Sequence, residues 1–133
     1  MNKKSLPQPT GAELELLRVL WDRGPSTVRQ IHDSLDQKGT GYTTTLKILQ
    51  KMAEKGLVKR DESRRSHVYR AVCQAEQTQR QLVRDLLRRA FGGSPGKLVV
   101  QALSEEAVSP DELLEIRQLL EKLEASQPRR GPK

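Results

Sequence analysis

The 133-residue sequence has little cysteine, few aromatic side chains and no long apolar run. Its single cysteine, Cys73, excludes an internal disulfide and is typical of a protein from a reducing compartment. Aromatic residues make up 3% of the chain, so stacking on unpaired nucleobases is not expected to dominate its binding. No segment approaches the roughly 18 apolar residues that cross a bilayer, so we expect a cytoplasmic protein without membrane insertion.

The sequence also lacks the usual motifs of enzymes and metalloproteins. Only His32, His67 and Cys73 could act as nitrogen or sulfur ligands, and their spacing fits no metal site. The glycines match neither a phosphate-binding loop nor a nucleophile elbow. We therefore expect a protein without catalytic activity, metal or cofactor.

Positive charge is abundant and unevenly distributed. The chain carries 24 Lys and Arg against 17 Asp and Glu, which gives a net charge of +7 and an isoelectric point near 9.9. Residues 1–72 hold 14 basic and 8 acidic side chains, whereas residues 73–125 hold 7 and 9. This asymmetry predicts two modules, the first of which binds a polyanion.

The first module, residues 8–73, has the element order of a winged helix-turn-helix. Capping-box spacings at Thr10 and Thr27 predict two helix starts, the first helix ending at Gly24-Pro25 and the second reaching about residue 37. A third helix is predicted over residues 42–55, ended by Gly56. Alternating apolar residues then predict a β-hairpin with strands over 57–60 and 67–72.

The third helix carries a candidate DNA-reading surface. A helical wheel groups its apolar side on Tyr42, Thr45, Leu46, Leu49, Met52 and Ala53. The opposite side carries the candidate DNA-binding residues Thr43, Thr44, Lys47, Lys51 and Lys55. The alternative is that these residues form an ordinary solvated face. The position of the third helix, between a helix-turn-helix and a basic hairpin, favours instead a recognition helix in the major groove.

The predicted hairpin tip is basic. Arg64, Arg65 and His67 are the candidates there for contact with the DNA backbone or the minor groove. The alternative is an edge hairpin whose charges only prevent aggregation.

The second module, residues 74–125, is predicted to be three helices that dimerise. The helices are expected over residues 76–91, over 97–103 and from Pro110 onward. Three short helices cannot bury so many leucines by themselves, which indicates a homodimer. The candidate dimerisation residues are Leu82, Leu86, Phe91, Leu98, Leu113, Ile116, Leu120 and Leu123. The basic tail 126–133 is predicted to be disordered.

Several segments together resemble the BlaI/MecI/CopY family of bacterial repressors. They are Leu20-Trp21, Gly24-Pro25, Tyr42-Thr43-Thr44-Thr45, Lys55-Gly56-Leu57-Val58, Tyr69, Gly92-Gly93-Ser94 and Ser109-Pro110-Asp111-Glu112. The resemblance spans about residues 10–123. It implies a dimeric repressor with an N-terminal winged helix and a C-terminal dimerisation domain that occupies palindromic operators.

The sequence departs from this family pattern at two places. The β-lactam branch is induced by cleavage at an Asn-Phe pair, where this chain has Gln101-Ala102. Gln101 and Ala102 are thus the candidate regulatory cleavage site, with a membrane sensor-protease as the candidate partner. The copper branch ends in a cysteine cluster, which this chain lacks, so copper sensing by that route is excluded.

Two functions follow from the sequence. The first is a homodimeric, sequence-specific transcriptional repressor that binds a double-stranded DNA operator. The alternative is a winged-helix adaptor for protein interactions, or a protein that coats DNA without reading it, because a fold alone does not fix function.

Overall fold

A computed structural model of the chain describes residues 7–35, 39–63 and 65–127. These residues form two compact units, one ending at Leu86 and the other beginning at Leu87. The arrangement is mainly helical with one small antiparallel sheet, as the sequence predicted.

The first unit begins with three helices. They are α1 (Gly11–Arg23), α2 (Val28–Ser34) and α3 (Tyr42–Lys55). Both predicted capping boxes are present: Thr10 pairs with Glu13 at the start of α1, and Thr27 pairs with Gln30 at the start of α2. In each box the threonine hydroxyl accepts a hydrogen bond from the backbone N–H three residues later, and the side chain of that later residue accepts one from the backbone N–H of the threonine. These paired bonds fix where the helix begins.

A three-stranded sheet completes the winged helix. Its strands are β1 (Ser26–Thr27), β2 (Val58–Asp61) and β3 (Val68–Ala71), and β3 lies between the other two. The hairpin of β2 and β3 is the predicted wing, with Arg60 opposite Tyr69. The sequence did not predict β1, because two residues are too short to show the alternation that marks a strand.

Two predicted helix bounds need correction. Leu35 has extended backbone angles (φ −79°, ψ 139°), so α2 ends at Ser34 and does not reach residue 37. In the second unit, α5 spans Pro95–Glu105 where the sequence predicted 97–103. It starts earlier because Ser94 accepts a hydrogen bond from the backbone N–H of Lys97 and Pro95 occupies the first helical position.

The core lies between the three helices and the sheet. Its largest fully buried side chains include Leu16, Leu17, Ile31, Leu49, Met52 and Tyr69. The apolar side chains of α1 that are buried are Leu16, Leu17 and Leu20. Trp21 lies at the edge of the core, where its indole N–H donates to the Cys73 carbonyl at 2.9 Å and ties α1 to the segment after β3.

Helices α4 (Ala75–Ala90), α5 and α6 (Pro110–Ser126) follow the wing. The division between the two compact units falls inside α4. No residue of α5 or α6 is buried, although both helices carry many apolar side chains. The predicted boundary at residues 73 and 74 and the predicted dimerisation role stay predictions.

The end of α3 supplies a test of local backbone chemistry. Gly56 has φ +88°, and this left-handed turn lets the N–H of Leu57 donate to the Met52 carbonyl and brings Leu57 into the core. Gly56→Ala should lower the free energy of unfolding by about 1 kcal/mol, measured by urea denaturation, because an L-residue is strained in this conformation. Gly11→Ala is the control, since Gly11 has no positive φ and open space around it. Equal stability of the two variants would contradict the assignment.

Candidate nucleic-acid interface

The outer side of α3 is a surface of hydroxyls and lysines. Thr43, Thr44, Lys47 and Lys51 are all exposed, while Thr45, Leu49 and Met52 on the opposite side are buried. The first turn of α3 contains no acidic side chain. Small hydrogen-bonding groups at the N-terminal end and cations along the outer side are what a helix needs to approach base edges and phosphates. Contact of these four residues with DNA stays a prediction.

The helical wheel placed Tyr42 on the buried side of α3, but the structure shows it exposed. It is the first residue of the helix, and 38% of its surface is exposed. Its ring meets the His32 ring edge-on at 5.8 Å and 75°, and the Arg29 guanidinium lies over it at 4.6 Å. His32 Nδ1 in turn lies 2.9 Å from the hydroxyl of buried Thr45. A helical wheel gives the side of the helix on which a residue lies, but not how deeply the rest of the fold covers that residue.

Lys55 does not belong to the outward lysines, although the sequence placed it there. Its ammonium donates to both carboxylate oxygens of Glu13, at 2.8 and 3.0 Å. Glu13 is only 3% exposed. Because Glu13 lies in the first turn of α1 and Lys55 is the last residue of α3, the pair joins the start of one helix to the end of the other. This contact gives Lys55 a structural role, and we leave it out of the proposed DNA surface.

The environment of Glu13 lowers the pKa of its carboxyl group. Burial acts in the opposite direction, because it disfavours the charged form. Hydrogen bonds from Lys55 and from the backbone N–H of Thr10, with the positive charge of Lys55, outweigh that effect. Glu13 is thus held as a carboxylate that fixes α3 against α1.

The wing presents a short basic tip. Arg65 and His67 are exposed, whereas Arg64 lies outside the described residues. Arg60 is engaged on the wing itself, by an ion pair with Glu62. Asp61 Oδ1 accepts hydrogen bonds from the backbone N–H and the hydroxyl of Ser63, which shapes the turn that leads to the tip.

The predicted dimerisation residues are half-buried or exposed. Leu86, Leu113, Leu120 and Leu123 are 40% to 53% exposed. The half-buried members are Leu82, Phe91, Leu98 and Ile116. The candidate cleavage pair, Gln101 and Ala102, is exposed on α5.

A metal site and a membrane span are two further features that the described part of the chain could contain. Over residues 7–35, 39–63 and 65–127, no group of three His, Cys, Asp or Glu residues could hold a metal ion. Within the same ranges, no helix is both long enough and apolar enough to span a membrane.

Sequence reasoning missed two features of this surface. Arg29 was not singled out, because its position over Tyr42 depends on how α2 packs against α3. Glu13 was recognised only as a helix cap, and nothing in the local pattern indicates its contact with Lys55, 42 positions later. For both residues the charge was the one signal in the sequence that pointed to a contact, and a charge does not indicate which residue is contacted.

Known proteins are similar to this chain over almost its whole length. The model of the penicillinase repressor family matches residues 9–122. The transcriptional regulator BlaI of Mycobacterium tuberculosis is 35% identical over 123 residues, which are 90% of this chain and 88% of the relative. The penicillinase repressor of Bacillus licheniformis is 24% identical over 119 residues, covering 89% of this chain and 93% of the relative.

Among solved structures, BpsR of Bordetella bronchiseptica aligns with a TM-score of 0.45 at 18% identity, covering 86% of this chain and 74% of that one. The family match and the relative at 35% identity confirm the resemblance inferred from the sequence. With its winged helix and its Thr-Lys surface on α3, the chain belongs to the penicillinase repressor family of transcriptional regulators.

Proposed function

We propose that this protein is a homodimeric repressor that recognises a palindromic operator in double-stranded DNA. The observation that carries the proposal is the exposed face of α3, on which Thr43, Thr44, Lys47 and Lys51 stand outside a well-buried core. Membership in a family of transcriptional repressors supports repression, and not activation, as the effect on transcription.

In this proposal the two ends of the α3 surface have different roles. Thr43 and Thr44 lie in the first turn, where a helix in the major groove approaches base edges. Their hydroxyls can hydrogen-bond with bases, and their methyl groups can contact the methyl group of thymine. Lys47 and Lys51 lie further along the outer side and neutralise phosphates, which supplies affinity but little sequence information.

The wing adds a second contact in the proposal. Exposed Arg65 and His67 stand at its tip, and Arg60 is already paired with Glu62. An arginine at such a tip can lie along the DNA backbone or enter a narrow minor groove, where the negative potential is strongest. We propose these residues, with Arg64, as the wing contacts.

Dimerisation is proposed from the second unit. Helices α5 and α6 have no buried residue and expose Val100, Leu114, Leu119, Leu120 and Leu123 to 47% or more. Apolar surface of this kind is covered in most stable proteins, and symmetric homodimers are the commonest way to cover it. A twofold dimer would deliver two copies of α3 to two half-sites, which predicts a palindrome.

The decisive experiment is selection of binding sites from a random-sequence duplex pool, followed by anisotropy titration of the selected duplex and a scrambled one. We expect a palindromic consensus and an affinity for the selected duplex at least a thousandfold higher, the lower end of specific DNA binding. An affinity ratio near one would instead favour a protein that coats DNA, and no binding to either duplex would favour an adaptor.

Thr44→Ala tests whether α3 reads sequence. The variant should lose roughly 1–3 kcal/mol of binding free energy on the selected duplex, because one base contact is removed. The loss should vanish on the scrambled duplex, since no base is read there. The measurement is the affinity for both duplexes at one salt concentration.

Lys51→Ala is the matched control for Thr44→Ala. It should weaken binding to both duplexes to a similar degree and reduce the salt dependence, because it removes a phosphate contact. If Thr44→Ala behaved like Lys51→Ala, or left the preference for the selected duplex unchanged, Thr44 would have no reading role.

A further inference from the structure

Arg29 stands out because, within the described part of the chain, its guanidinium lies on an aromatic ring and not against the nearby carboxylate. It is exposed in the first turn of α2, and Asp33 follows four positions later on the same helix, at the spacing that favours an ion pair. Among the described residues, however, no salt bridge involves Arg29. Its guanidinium lies over the ring of Tyr42, 4.6 Å from the ring centre.

The ring beneath Arg29 is itself held in place. His32 meets Tyr42 edge-on at 5.8 Å, and the Nδ1 atom of His32 lies 2.9 Å from the hydroxyl of Thr45. Thr45 is fully buried, so this series of contacts anchors the guanidinium to the core of the winged helix. A flexible arginine side chain is thereby restricted to one region of the surface.

A guanidinium held by the face of a ring keeps its in-plane N–H donors. The attraction comes from the electron-rich ring face, and it leaves the planar fork of donors free for an anion that accepts two hydrogen bonds. A phosphate group is the matching acceptor on a nucleic acid. A lysine at this position would offer a point charge without that fork.

The location of Arg29 matches this chemistry. Tyr42 is the first residue of α3, and Thr43 and Thr44 follow it directly. A duplex whose base edges face Thr43 and Thr44 places a phosphate backbone beside the same end of the helix, because the major groove is only about 12 Å wide. Arg29 would lie at that wall of the groove.

We propose that Arg29 is a phosphate-contacting residue of the DNA interface and that Tyr42 positions it. The inference rests on the proposed function, since it assumes that the N-terminal end of α3 enters the major groove. It assigns α2 a direct part in binding, in addition to α3 and the wing.

The test is an anisotropy titration of the full chain with the selected and the scrambled duplex over a series of salt concentrations. Arg29→Ala should weaken binding about tenfold on both duplexes. It should also reduce the slope of log affinity against log salt by about 0.9 for each protomer, the value for one lost phosphate contact. Arg18→Ala, which removes an exposed arginine from α1, is the charge-matched control and should leave the slope unchanged.

Variants of Tyr42 test the positioning role. Tyr42→Phe keeps the ring and should bind close to the unaltered protein, whereas Tyr42→Leu should lose part of the affinity that Arg29→Ala loses. The double variant Arg29→Ala with Tyr42→Leu should bind no more weakly than Arg29→Ala alone, because the two residues act through one contact. Arg29→Lys should keep the salt slope and lose a few-fold in affinity.

Three outcomes separate the possibilities. If Arg29→Ala had the same affinity and the same salt slope as Arg18→Ala, the inference would be overturned, and the proposed function would be unaffected. A fall in melting temperature with an unchanged slope would show a purely structural role and also overturn it. If the unaltered protein does not prefer the selected duplex, the proposed reading function fails, and the slope on the scrambled duplex still decides the phosphate contact of Arg29.

Discussion

Glu13→Ala is expected to destabilise the protein by about 3 kcal/mol, the largest effect that we predict for a single side chain in the first unit. The substitution removes the bidentate partner of Lys55 and the carboxylate that accepts from the backbone N–H of Thr10. Breaking a buried ion pair by removing one partner typically costs about 3–5 kcal/mol. We take the lower end because the Lys55 side chain is 33% exposed and can recover part of its hydration.

Companion variants separate the charge from the helix cap. Glu13→Gln keeps the shape and an acceptor for Thr10, so it should lose only about 1–2 kcal/mol. Combining Glu13→Gln with Lys55→Met removes both charges and should restore part of that loss. The measurement is urea denaturation at constant protein concentration, and a Glu13→Ala protein as stable as the unaltered one would contradict the assigned role.

The same ion pair should make stability depend on pH. The pKa of Glu13 is lowered from its ordinary value of 4.5, so the folded protein holds the proton less tightly than the unfolded chain. The stabilisation is therefore present above pH 4.5 and is lost as the pH falls through the lower pKa of the folded state. The stability difference between the unaltered protein and Glu13→Gln should shrink in that acidic range, and a constant difference would contradict the pKa shift.

Lys55→Met provides a separate check on the corrected position of Lys55. It should reduce stability, because Glu13 loses its partner, and leave the salt dependence of DNA binding unchanged. A reduced salt slope would return Lys55 to the DNA surface that the sequence predicted.

Leu120→Asp is expected to convert the proposed dimer into a monomer and to lower the affinity for the selected duplex at least a hundredfold. Leu120 is 53% exposed on α6, beside the other apolar side chains of that helix. A carboxylate there would have to be buried without a partner if a second copy covers the face. Loss of the dimer removes the second half-site, whose effective concentration contributes about 10²–10⁴ in affinity.

The dimer prediction needs a control that adds the same charge to the same helix. Gln118→Asp does so at an exposed polar position and should leave both the assembly state and the affinity unchanged. Sedimentation velocity gives the assembly state, and the anisotropy titration gives the affinity. A Leu120→Asp protein that remains dimeric would exclude this part of α6 from the interface.

The starts of α1, α2 and α6 and the wing could be read from the sequence because their signals are local, whereas the equally local Ser94-Pro95 start of α5 was missed. The Thr10 and Thr27 capping boxes, the Ser109-Pro110 start of α6 and the Gly56 end of α3 are all where the sequence predicted them. Each signal rests on hydrogen bonds or backbone angles within a few residues, so tertiary packing does not override it. The two-residue strand β1 escaped prediction because it exists only by pairing with β3.

Periodicity and charge along the chain were enough to predict the winged-helix order, the family and the exposure of Thr43, Thr44, Lys47 and Lys51, because the apolar spacing of a helix defines which side meets the core. The contacts of the charged side chains could be seen only in the folded protein. Packing of α1 on α3 turned Lys55 from a free cation into the partner of Glu13, and packing of α2 on α3 placed Arg29 over Tyr42. These contacts join residues far apart in the chain, and a local pattern states the charge of a residue but not its neighbour across the fold.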